Sequence, residues 1–297
     1  MSISKPSPMN NSATLRLRSC WSLRSGHVGR DRRGREYSFT LLALSILLSL
    51  PLPSHALTLS SESEIQSGDL IRGETYSSVY YYGEDGFRYV FPNDKIYFTW
   101  YEDFNEVKWI SDTSLANIQI GGNVTYKPGV KMLKINSDPT VYAVSLGGTL
   151  HAIASESVAS QLYGSAWNKQ IDDVADGLFG NYAMESEIEL ASQYDPEVEQ
   201  IEAFSINEDK NLQASTLIEI TESGYQSPTI TIPVGTAVQW FNTTNEDRSA
   251  TEWDRVWGSG TLHPGDHFSR YFNEKGTWHY YSSYGDRNTF EGAILVE

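Results

Sequence analysis

From Thr216 to the C-terminus every stretch reads as β-strand, and that run limits the possible folds more than any other feature of the chain. Leu217-Ile218-Glu219-Ile220, Thr229-Ile230-Thr231-Ile232, Ala237-Val238-Gln239-Trp240-Phe241-Asn242, His267–Phe272 and Gly292–Val296 are short β-rich runs. Turn formers such as Pro233-Val234-Gly235, Gly258-Ser259-Gly260 and Pro264-Gly265 separate them. Many short strands at close, regular spacing predict an all-β sandwich of about 80 residues over 216–297.

Residues 70–183 carry one pattern twice. Val79-Tyr80-Tyr81-Tyr82, a GEDG turn and Phe87-Arg88-Tyr89-Val90-Phe91 make the first copy; Val141-Tyr142-Ala143-Val144, SLGG and Thr149-Leu150-His151-Ala152-Ile153 make the second. Val79 and Val141, Tyr80 and Tyr142, and Gly86 and Gly148 are each 62 residues apart. Each copy reads as a β-hairpin. A helix follows: Ser155 caps ESVASQLYG, with Val158, Ala159 and Leu162 at helical spacing and Gly164 closing it. Phe104-Asn105 finds a counterpart in Trp167-Asn168. The expectation is an α+β tandem-repeat domain, with copies at about 70–122 and 133–183. It resembles paired repeats in exported bacterial proteins of the form V-Y-x-x-x-x-x-G-x-x-x-x-(F/I)-P followed by a helix. The second copy lacks that proline, and the resemblance implies no activity.

Residues 184–215 differ. Between Glu185 and Asp209 stand nine acids and no basic residue, which predicts an exposed acidic linker. At the other end, a basic stretch runs into an apolar run from Phe39 and then Ser54-His55-Ala56, the layout of a secretory signal over 1–56, with 57–69 as a short linker. The apolar run is short for a bilayer span, although an uncleaved anchor is the alternative. Export to the periplasm, cell surface or medium follows, with no membrane insertion after cleavage. Of the 22 basic and 38 acidic side chains, eight basic and two acidic ones lie in 1–56, so the remainder is net −22 and disfavours nucleic acid as a partner. The single cysteine, Cys20, is also lost, which removes disulfides and thiolate chemistry.

SPTITIPVGTAVQWFN, GSGTLHPGD, GTWHYYSS and the final GAILVE resemble a cupredoxin of the plastocyanin/amicyanin-like kind over about 216–297. The resemblance implies a copper ion held by a histidine after the V-x-W strand and by cysteine, histidine and methionine in the last loop. In this chain those positions fall on Arg248, Ser282, Gly285 and Phe290. Serine offers no thiolate, glycine no side chain, phenylalanine no donor, and arginine adds a permanent cation. The expectation is a lost type 1 copper site and no cofactor. A weaker alternative metal site is His263 and His267 with Asp286, on the premise that a hairpin turning at 273–276 sets His267 opposite Ser282.

Between Tyr76 and Trp109 there are thirteen aromatic residues. Most read as core, while Tyr81 and Trp100 are candidates for stacking on sugar rings. No G-x-S-x-G, phosphate loop or H-E-x-x-H occurs, and paired carboxylates are expected by chance in a chain this acidic. The sequence therefore favours a non-enzymatic exported protein with a structural or interaction role, its partner a protein or a cell-wall polymer. An electron carrier with non-standard copper ligands and a carbohydrate binder acting through the aromatic repeat are the alternatives.

Overall fold

The computed structural model describes residues 59–60 and 64–297, so the signal segment 1–56 lies outside the described residues. β1 (Leu70–Arg72), β2 (Tyr80–Tyr82), β3 (Arg88–Val90), β4 (Lys108–Trp109) and β5 (Ile120–Asn123) form a sheet in the order β4-β1-β2-β3-β5. A second sheet holds β6 (Met132–Ile135), β7 (Asp138–Ser145), β8 (Thr149–Ala152), β9 (Ile171–Val174) and β10 (Ala183–Met184) in the order β9-β6-β7-β8-β10. Strand for strand the two orders coincide. In both sheets the inner pairs are antiparallel and the outer pairs parallel.

Helices occupy matching places. α1 (Asp94–Trp100) follows β3 and α2 (Asp112–Asn117) follows β4, while α3 (Glu156–Tyr163) follows β8 and α4 (Asp176–Phe179) follows β9. Asn93 starts α1 by accepting the Ile96 N–H at 2.9 Å, and Ser155 starts α3 by accepting the Val158 N–H at 3.3 Å. Gly86 and Gly148 close the hairpins at φ 81° and 67°, a backbone region that side chains with a Cβ adopt at a cost.

The two sheets share one apolar core that includes Tyr81, Tyr89, Tyr97, Tyr126, Leu133, Tyr142, Val144 and Leu150. Tyr81 is 1% exposed there. This corrects its candidacy as a stacking surface: on β2 the alternation turns Tyr81 inward, and its ring is needed to fill the space.

Residues 184–215 are not an exposed linker. α5 (Pro196–Glu202) and α6 (Ile206–Asp209) fold within this segment. Ile206 joins the shared core, and the Tyr194 hydroxyl donates to the Val144 carbonyl at 2.7 Å. The acids read correctly as solvated for the most part, but apolar residues between them, Ile188, Ala203 and Ile206, are buried and anchor the segment.

In the sandwich, β11 (Thr216–Thr221), β12 (Gly224–Tyr225), β13 (Thr229–Ile232), β14 (Thr236–Asn242), β15 (Thr251–Glu252), β16 (His267–Phe272), β17 (Gly276–Tyr281) and β18 (Glu291–Val296) form two four-stranded sheets. Their orders are β12-β11-β14-β16 and β13-β18-β17-β15. Between them lies a core around Trp240, whose ring meets those of Trp257, Phe268, Phe272 and Tyr280. β16 and β17 therefore belong to opposite sheets. The 273–276 connection crosses the sandwich instead of closing a hairpin, and the premise that set His267 opposite Ser282 fails.

β16 is covered on both sides. Phe268 and Phe272 face the sandwich core, while His267, Ser269 and Tyr271 face the first sheet. The described residues belong to one compact unit. None of their helices is long and apolar enough to cross a membrane.

Candidate functional site

The loops at one end of the sandwich bring Arg248, Ser282, Gly285 and Phe290 together. Arg248 is 3% exposed, and its guanidinium carbon lies 4.6 Å from the centre of the Phe290 ring. Its Nη1 donates to Glu246 Oε2 at 2.8 Å and to the Asp247 carbonyl at 2.9 Å, and its Nη2 reaches Glu222 Oε2 at 3.5 Å. Its Nε has no hydrogen-bond partner among the described residues.

Ser282 Oγ accepts the backbone N–H groups of Ser249 and Tyr284, at 3.1 and 3.2 Å. The neighbouring Ser249 accepts the Tyr225 hydroxyl on its carbonyl at 2.5 Å. Burial pushes the Tyr225 phenol above its ordinary range, so it stays a donor. Gly285 has φ 81°, and a Cβ there would stand 3.0 Å from the Phe290 ring.

These side chains do not fit a type 1 copper ion. The four positions present one hydroxyl, already engaged with two backbone donors, and a buried cation stacked on a hydrocarbon ring. Copper of this type is held by thiolate and imidazole, neither of which is here.

The guanidinium is a buried charge whose acidic partners are exposed, Glu222 by 67% and Glu246 by 70%, so the pairs return little. Arg248→Met, which keeps length and packing on Phe290, is expected to melt within about 1 kcal/mol of wild type, and Arg248→Ala to lose ~2 kcal/mol. Thermal denaturation of both variants checks this; a large loss in the methionine variant means the charge itself holds the loops.

The alternative metal set is dispersed. His263 is 61% exposed and its Nδ1 lies 2.7 Å from Asp247 Oδ1. That hydrogen bond and the Asp247 charge raise its pKa above the ordinary histidine value. His267, expected beside a solvated turn, is 6% exposed and faces Tyr82, its Nε2 3.4 Å from the hydroxyl. Asp286 caps its own loop, accepting the N–H of Asn288 at 3.2 Å and the Thr289 hydroxyl at 3.3 Å. Among the described residues no group of three or more His, Cys, Asp or Glu side chains is placed to hold a metal ion. Trp100 is half-buried, its indole N–H donating to the Thr125 carbonyl at 2.9 Å, with Lys127 Nζ 5.4 Å from the ring centre.

Two buried carboxylates escaped the sequence reading. Asp85, in the GEDG turn, is fully buried where the first sheet meets β16. Its Oδ2 accepts the hydroxyls of Tyr89 at 2.5 Å and Tyr271 at 2.6 Å, and its Oδ1 accepts the Phe87 N–H at 3.2 Å. Burial, and then the hydrogen bond to Asp85, push both phenols well above their ordinary range. Nearby, Gln239 Nε2 donates to the Tyr82 hydroxyl at 3.2 Å and to Ser269 Oγ at 3.1 Å. The second carboxylate, Asp209, closes α6 and accepts the Gly147 N–H at 3.1 Å and the Thr125 hydroxyl at 3.3 Å. Burial raises it to about 6, opposed by the neighbouring Lys210 charge. An acid inside a turn motif or an acid-rich run carries no sign of burial, and only the partner strands reveal it.

No family model matches the chain, and no curated protein does. The solved structures similar to it include a reduced Cu(I) form of an amicyanin variant, 19% identical over 29% of this chain and 85% of that one, with a TM-score of 0.27. A purple cupredoxin from Nitrosopumilus maritimus is 27% identical over 28% of this chain and 100% of its own, with a TM-score of 0.26. A copper-containing nitrite reductase from Thermus scotoductus SA-01 is 19% identical over 29% of this chain and 23% of its own, with a TM-score of 0.26.

Proposed function

We propose that this is a non-enzymatic exported protein with an interaction role, whose C-terminal sandwich is a cupredoxin-like domain that does not carry type 1 copper. The observation that supports it best is the packing of Arg248 on Phe290 beside Ser282 and Gly285, which fills the loop end with a cation and a hydrocarbon ring. In this reading the sandwich is a rigid support. Its β14 and β16 give one face to their own core and the other to the first sheet through Gln239, Ser269 and Tyr271. The two five-stranded sheets are copies of one hairpin-helix unit, supported by their shared strand order and the 62-residue spacing between Val79 and Val141. Export rests on the signal pattern of 1–56, and the acidic surface suits a partner other than nucleic acid.

The test is copper itself. Cu(II) added to the purified protein is expected to give no intense thiolate-to-copper absorption in the visible, because the chain has no cysteine beyond Cys20. Stoichiometric copper retained through dialysis, together with such a band, overturns the reading in favour of an electron carrier.

A further inference from the structure

The same groove occurs twice. In the first copy a cavity of about 350 Å³ opens over Val79 and is walled by Phe104, with Ser78 and Asp94 at its rim. In the second copy a cavity of about 490 Å³ opens over Val141 and is walled by Trp167, with Thr140 and Glu156 at its rim. Val141, Thr140 and Glu156 each stand 62 residues after Val79, Ser78 and Asp94, and Trp167 stands 63 after Phe104. The residues have diverged between the copies, yet each groove keeps an aliphatic floor, one aromatic wall, one hydroxyl and one carboxylate at equivalent places. Core requirements do not explain this. Phe104 is 49% exposed, Asp94 and Glu156 are exposed, and neither carboxylate takes part in an ion pair among the described residues.

We propose that these are two equivalent saccharide subsites, each taking a ring of an uncharged glycan. The proposal rests on the interaction reading above and gives it a ligand class. A pyranose offers an apolar C–H face and an equatorial rim of hydroxyl donors. The first lies against an aromatic face, and the second suits carboxylate and hydroxyl acceptors. Both volumes lie in the ~300–1,000 Å³ range of small-molecule sites. No Lys, Arg or His lines either groove among the described residues. With a carboxylate at each rim, anionic sugars, phosphates and nucleic acids are disfavoured. In this proposal the stacking rings are Phe104 and Trp167, whereas Tyr81 is buried.

Calorimetric titration of the purified protein with soluble oligomers of β-1,4-linked glucose and of N-acetylglucosamine tests this, with oligolysine as a third ligand. The expected result is two sugar sites per chain. Trp167→Ala and Phe104→Ala should each leave one site, and the double variant none. Because a ring deletion can disturb folding, Asp94→Asn and Glu156→Gln serve as second variants, each expected to weaken its own groove about tenfold, or ~1.4 kcal/mol. The proposal fails if neither sugar series binds, if the double variant keeps both sites, or if only oligolysine binds and the same substitutions abolish it. Any of these results leaves the copper titration, and the reading it tests, untouched.

Discussion

Asp85→Ala is expected to lower the stability of the whole described unit by about 4 kcal/mol, the largest loss foreseen for any single polar residue. Two tyrosine hydroxyls donate to one carboxylate oxygen at 2.5 and 2.6 Å, from β3 and from β16. Hydrogen bonds to a charged acceptor contribute ~1.5–3 kcal/mol each, and the alanine takes the shared acceptor from the buried Tyr89 hydroxyl, the half-buried Tyr271 hydroxyl and the Phe87 N–H. Asp85→Asn should be intermediate. Its amide oxygen can serve the tyrosines, but its NH₂ then meets the Phe87 N–H, donor against donor. Urea denaturation followed by tryptophan fluorescence gives the magnitude. A double-mutant cycle with Tyr271→Phe should show coupling above ~1 kcal/mol. Wild-type stability in the alanine variant means that the apolar contacts, such as Phe87 stacked on Tyr271 at 5.1 Å, hold the junction alone.

Strand alternation was the most legible signal. Leu217-Ile218-Glu219-Ile220 and Ala237–Asn242 became β11 and β14, and the two expected hairpins became β2-β3 and β7-β8. The second buried face was not legible. His267, Ser269 and Tyr271 alternate with Phe268 and Phe272, and polar and amphipathic residues look the same in sequence whether they meet water or a neighbour's polar groups. The partners that cover them, Tyr82, Gly86 and Asp85, lie more than 180 residues away. Composition likewise hid the packing of 184–215. A few well-placed apolar residues anchor a segment whose charge count argues for disorder, since each fully buried side chain is worth ~1.5–3 kcal/mol.

The loop end of the sandwich was legible by subtraction. Four positions lacking metal donors were readable, but what packs at the loop end was not. The guanidinium lies over Phe290, an arrangement that depends on φ 81° at Gly285 and on the reach of Arg248 across the loop. The grooves show the reverse. The thirteen aromatics between Tyr76 and Trp109 are legible in the sequence, but most fill the core. The two rings that wall equivalent cavities, Phe104 and Trp167, were paired by position and not singled out by type.

Asp209→Asn is expected to stabilise the protein by about 3 kcal/mol above neutral pH, and not at all below pH ~4. The carboxyl is 2% exposed, and burial raises its pKa from 3.8 to about 6. A group with a raised folded pKa contributes stability that is complete below its unfolded value and lost as pH rises through the folded one. Wild type should therefore weaken between pH 4 and pH 6–7, and above that it carries a buried charge. Lys210 offsets this in part, while Glu199 adds to it. Asparagine stays neutral throughout and keeps its one oxygen for the Gly147 N–H, while its NH₂ faces the Thr125 hydroxyl, which can turn to accept. Other carboxylates titrate in the same window, so the informative quantity is the difference between variant and wild type at each pH, from paired thermal melts. A difference that opens between pH 4 and 7 and then stays level supports the assignment. A variant less stable than wild type at pH 8 shows that the Asp209 charge is held by Lys210 firmly enough to outweigh its desolvation.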